Sequence, residues 1–88
     1  MNRLELSVNL NKIWLLGDLE ARNKIISEYF YIVKDYLLQL GVFEDLDNLS
    51  YQLIDTIIDD YFSSKNSDFE IFLRKDIKKV LESKNKNR

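Results

Sequence analysis

The stretch Leu16–Leu40, LGDLEARNKIISEYFYIVKDYLLQL, decides how the rest of the chain is read. Leu19, Ile26, Phe30, Val33, Leu37 and Leu40 recur at spacings of three, four and seven, which lays them on one stripe of a helix. Ile25, Tyr29, Ile32 and Tyr36 form a second stripe beside it. An apolar arc this wide needs at least two helical neighbours to cover it. Gly17 interrupts the preceding segment, and the Asp18 carboxylate can accept from the free N–H groups of the first turn. Gly41 supplies the left-handed residue that commonly ends a helix.

The composition agrees with a helical reading. The 88 residues allow one domain with one small core. Proline is absent and glycine occurs twice, too little punctuation for a fold of strands and tight turns. The fold expected is therefore all-α. Cysteine is absent, which removes disulfides and thiolate metal sites. Histidine is absent too, and with it the commonest general base and metal ligand. There is no glycine-rich phosphate loop, and Asp59 and Asp60, adjacent on a helix, point in different directions. An enzyme, a metal and an organic cofactor are not expected. No signal-peptide pattern or membrane-length apolar run is present, so a cytoplasmic protein without a membrane partner is expected.

The net charge of −2 hides an asymmetry. Residues 74–88 carry seven basic and two acidic side chains, which leaves −7 on the preceding residues. An acidic body with a basic end can face a basic partner and an anionic one. A solvated lysine-rich terminus is the plainer reading of the same residues.

Three further segments surround the long helix. Residues 1–16 alternate at Leu4, Leu6, Val8 and Leu10 with period two. With no second strand to pair with, they are read as irregular or weakly helical, leading into a short helix near Leu10–Leu16. Trp14 is expected to anchor the core. Beyond Gly41, Glu44 or Asp45 can cap a helix running from about Leu46 to Phe62. Leu46, Leu49, Leu53, Ile57 and Tyr61 form its buried stripe, with Ile54 and Ile58 beside them. Its polar face carries Asp47, Asn48, Gln52, Asp55, Asp59 and Asp60. Helical spacing spreads these carboxylates too far apart for a metal site, so they suit water or a basic partner. After a turn, Ser67 and Glu70 fit a capping box. A last helix should span about Asp68–Glu82, burying Phe69, Phe72, Leu73, Ile77, Val80 and Leu81. Arg74, Lys75, Lys78 and Lys79 fall on its outward side, a row of cations that can follow a phosphate backbone or complement the helix dipole. Tyr29, Tyr36 and Phe62 are the apolar side chains expected to be exposed and free to pack between chains.

Taken together, these segments resemble region 2 of the bacterial sigma-70 family. Gly17-Asp18-Leu19-Glu20-Ala21-Arg22-Asn23-Lys24-Ile25-Ile26 looks like that family's Gly-Asp-x-Glu-Ala-Arg-Asn-x-Leu-Ile opening, and Val33 falls where the family has its helix valine. Glu44-Asp45-Leu46 is similar to the acidic start of its next helix. Ile54, Ile57, Ile58, Asp59 and Tyr61 stand for its Leu-x-x-Ala-Ile-Asp-x-Phe pattern. Phe69 and Phe72 replace the aromatics of its Phe-Ser-Thr-Tyr motif, and Ile77-Lys78 its Ile-Arg. The likeness covers about residues 12–82 of a single domain, with 83–88 as a basic tail, and implies three main helices plus a short N-terminal one.

The resemblance implies a transcription-initiation module. Glu44, Asp45, Asp47, Asn48, Gln52 and Asp55 would dock on the coiled coil of the largest RNA polymerase subunit. Lys65, Arg74, Lys75, Lys78 and Lys79 would contact promoter DNA around the −10 element. Two departures stand out. Asn48 and Leu49 replace a glutamine and a glutamate of the docking helix, and Arg74, Lys75 and Asp76 occupy the place of the aromatic cluster used for melting. The chain also stops before the helix-turn-helix that reads the −35 element. Either it is a domain excised from a longer chain, or, the reading favoured here, it resembles the short subunit of a split sigma factor, whose separate partner carries that reader. The alternative is a small helical interaction protein, bacteriocin-immunity or antitoxin-like, that neutralises a protein partner.

Overall fold

The computed structural model describes the backbone of residues 1–64 and 68–86, and the side chains of 1–64, 68–79 and 82. Four helices follow one another: α1 (Arg3–Leu16), α2 (Leu19–Gln39), α3 (Leu46–Ser63) and α4 (Phe69–Lys86). No strand occurs among the described residues, and the chain is all-α. In space α2 packs on both α1 and α3, and α3 packs on α4. α2 and α3 run antiparallel. Arg22 near the start of α2 meets Asp55 and Asp59 late in α3, while Lys34 late in α2 meets Asp47 at the start of α3.

The breaks between helices have local chemical causes. Gly17 sits at φ +62° and donates its N–H to the Ile13 carbonyl, closing α1. One residue later the Asp18 carboxylate accepts from the Ala21 N–H at 3.1 Å and opens α2. Gly41, at φ +82°, ends that helix. Its N–H bonds the Leu38 carbonyl while the Val42 N–H reaches back to Leu37, the paired bonds that close a helix through a left-handed residue. Asp45 precedes α3 at φ 52°, a conformation that costs most side chains energy and that Asp and Asn tolerate best. Ser67 of the expected capping box lies outside the described residues. The cap seen at α4 is Asp68, whose carboxylate accepts from the Ile71 N–H at 3.2 Å.

The core joins the inward faces of all four helices. Ile25, Val33 and Leu37 of α2 meet Leu53, Ile54, Ile57 and Ile58 of α3, all at most 2% exposed. Phe69, Leu73 and Ile77 of α4 close one side, and Leu10 and Ile13 of α1 the other. Fully burying side chains of this size stabilises by about 1.5–3 kcal/mol each. Aromatic rings seal the end where α1, α3 and α4 converge, with Tyr61 against both Phe69 and Phe72 and Tyr29 against Phe69.

Several expectations are corrected. The N-terminal segment is a full fourteen-residue helix, capped by the Asn2 side chain on the Glu5 N–H. Its alternating residues divide between two sides: Leu6 and Leu10 turn inward, Leu4 and Val8 outward. The architecture is thus four helices of comparable length, and α4 runs past Glu82 to Lys86. Trp14 is not buried but 63% exposed, its ring resting on Phe62 at 5.3 Å. Leu19, Ile32 and Leu40 sit on the predicted stripes yet are exposed. Tyr29, expected on the surface, is 4% exposed; its hydroxyl donates to Glu70 at 3.2 Å, and burial together with that carboxylate pushes its phenol upward in pKa. Tyr36 and Phe62 are half-buried against the core.

Candidate functional site

The two charged linings lie on α3 and α4. On α3, the apolar residues point towards α2 and α4, so the polar positions between them face away from the core. Glu44, Asp45, Asp47, Asn48 and Gln52 are exposed and Asp55 is half-buried. The Asn48 amide donates to the Asp45 carboxylate at 2.9 Å, tying the first turn of the helix to its strained leading residue.

Two of these acidic groups already have cationic partners in the chain. Asp47 pairs with Lys34 at 2.9 Å. Asp55 receives one arm of the Arg22 guanidinium at 2.8 Å, and Asp59 receives the other, also at 2.8 Å. Burial works against the charge on Arg22, and the hydrogen bonds to Asp59 and Asp55 outweigh it and hold the guanidinium firmly protonated. Arg22 belongs to the Gly-Asp-Leu-Glu-Ala-Arg-Asn opening of α2. In this fold its visible task is to clamp α2 to α3, so Asp55 positions the helix while Glu44 and Asp45 present their charge to solvent.

On α4, Arg74, Lys75, Lys78 and Lys79 are all exposed, and none makes an ion pair with a described residue. Positions 74, 75 and 78 share one outward arc with Ile71, itself 51% exposed. A branched apolar side chain thus stands amid free cations. Lys65, the fifth predicted cation, lies outside the described residues.

Asp76 is not part of that outward row. It is 9% exposed, and its carboxyl hydrogen-bonds with Asp60 of α3. Burial first, and then the hydrogen bond and charge of Asp60, push it up to about 6, against the opposing influence of Lys79. Its Oδ2 has no hydrogen-bond partner among the described residues. Two carboxyl groups therefore share the seam between the acidic and the basic helix. Helical spacing contained the signal: Asp76 is seven residues from Phe69 and three from Leu73, on the buried stripe. Arg22 carried a similar signal, standing three, four and seven residues before Ile25, Ile26 and Tyr29.

No group of three or more metal-ligating side chains gathers among the described residues, and no helix is long and apolar enough to cross a membrane. The arrangement acts by charge and shape: an acidic edge at the start of α3 and a cationic ridge along α4. No protein-family description, curated protein or solved structure matches the chain.

Proposed function

We propose that this chain is a transcription-initiation module that docks on core RNA polymerase through the start of α3 and contacts promoter DNA near the −10 element through α4. One observation supports this reading above the others: exposed charges of opposite sign stand on successive elements, Glu44 and Asp45 leading into α3 and Arg74, Lys75, Lys78 and Lys79 along α4. The ordered likeness of α2–α4 to sigma region 2 gives those charges their assignment. Docking needs only the acidic edge and a basic counterpart. DNA contact needs a cationic ridge spaced to follow phosphates, and each neutralised phosphate makes binding more sensitive to salt. With Arg74, Lys75 and Asp76 where the family has its aromatic cluster, no base-stacking wedge stands at that place, so the reading assigns docking and backbone contact to this chain and not strand melting.

Co-purification tests the reading. The chain alone, or fused to a −35-reading domain, should retain core RNA polymerase from a bacterial extract. If neither retains it, the proposal fails.

A further inference from the structure

α1 is apolar on two sides and has a neighbour on only one. Leu6, Leu10 and Ile13 face the core. On the other side Leu4, Val8, Asn11 and Leu15 recur at spacings of four, three and four, the rhythm by which one helix lies along another. All four are exposed, Leu4 and Leu15 at 74% and Val8 at 44%. A helix with apolar stripes on two opposite sides normally has a neighbour against each, and among the described residues α1 has one only on its inner side.

We propose that this outer seam pairs with α1 of a second copy, the two helices antiparallel about an axis between residues 9 and 10. The register is self-complementary. Leu4 of each copy faces Leu15 of the other, and Val8 faces Asn11. An isologous contact of this kind closes on itself as a dimer. Charge selects the orientation. Glu5 and Lys12 flank the seam on the same edge, both exposed, and neither pairs with a described residue. Antiparallel helices bring Glu5 of each copy beside Lys12 of the other, twice per dimer. Parallel helices would set Lys12 beside Ser7 and leave Glu5 unpaired. Asn11 among the apolar positions weakens the contact and penalises shifted registers. A fourteen-residue helix is about 21 Å long, too short to cover the roughly 800 Å² per partner of standard stable interfaces, so the dimer is a weak, concentration-dependent one. This surface lies on α1, apart from the charged faces of α3 and α4, and the inference stands whether or not the chain binds polymerase.

Sedimentation equilibrium and cysteine cross-linking of the full chain test it. The chain has no cysteine of its own. Under mild oxidation, a mixture of Leu4→Cys and Leu15→Cys chains should form a disulfide-linked pair, while Leu4→Cys alone stays single. Self-linking of Leu4→Cys as readily as the mixture would overturn the antiparallel register. Wild-type mass should rise from monomer to dimer with concentration. Glu5→Lys should weaken association about fivefold, and Glu5→Lys with Lys12→Glu should restore it. These positions are exposed, and circular dichroism verifies that the variants keep their helices. A monomer at every concentration, or a dimer indifferent to Leu15→Glu, refutes the proposal.

Discussion

Replacing Asp76 with asparagine should stabilise the protein at neutral pH. Asp76 is 9% exposed and shares a hydrogen bond with Asp60. Its carboxyl rises from an ordinary 3.8 to about 6 because burial and the neighbouring carboxylate both disfavour its charge. A rise of that size corresponds to about 3 kcal/mol of destabilisation once both groups are ionised. The folded pKa lies above the unfolded one, so the folded state holds the proton more tightly. Stability from this group is intact below the unfolded value and is lost as pH climbs through about 6. Asparagine cannot ionise, and its amide can donate to Asp60. Its second amide N–H, which the carboxyl lacks, would be buried without a partner, and that offsets about 1 kcal/mol. The net gain should be about 1–2 kcal/mol above the transition, and each kcal/mol raises the midpoint by about 4–8 °C in a domain of this size. Urea unfolding followed by circular dichroism from pH about 4 to about 8 would measure it. The difference between variant and wild type should grow through that window. A constant difference, or a variant less stable than the wild type at neutral pH, would overturn this prediction.

Two other substitutions probe the joints of the fold. Arg22→Lys keeps the charge but cannot span both Asp55 and Asp59, so unfolding free energy should drop by about 1–2 kcal/mol in urea titrations. Gly41→Ala meets no steric obstacle but places a Cβ at φ +82°, and should lower the thermal midpoint by about 1 kcal/mol equivalent.

What could be read from the sequence was what repeats every three or four residues. The cores of α2, α3 and α4 stand where the spacing of Val33, Leu37, Ile57 and Leu73 places them, and the aspartate and glycine punctuation at Asp18 and Gly41 marks real boundaries. α1 was harder to read because its apolar residues serve two sides of one helix, which over four alternating positions imitates a strand. Trp14 misleads for a related reason, since large rings at helical spacing usually point inward. Among the candidate site residues, charge sign and exposure were legible; pairing was not. Arg22 finds Asp55 and Asp59 across 33 and 37 residues of chain, and Asp76 meets Asp60 across the α3–α4 packing, distances over which periodicity carries no information.

The division of labour between α3 and α4 is the central claim, and a binding titration of fluorescently labelled chain with purified core RNA polymerase tests it most directly. Glu44→Lys with Asp45→Asn, the latter chosen to keep the φ 52° backbone comfortable, should abolish saturable binding. Lys78→Glu with Lys79→Glu should leave polymerase binding unchanged and remove only the polymerase-dependent capture of −10 promoter DNA. Equal loss of polymerase binding in both variants, or none in the first, would contradict the account.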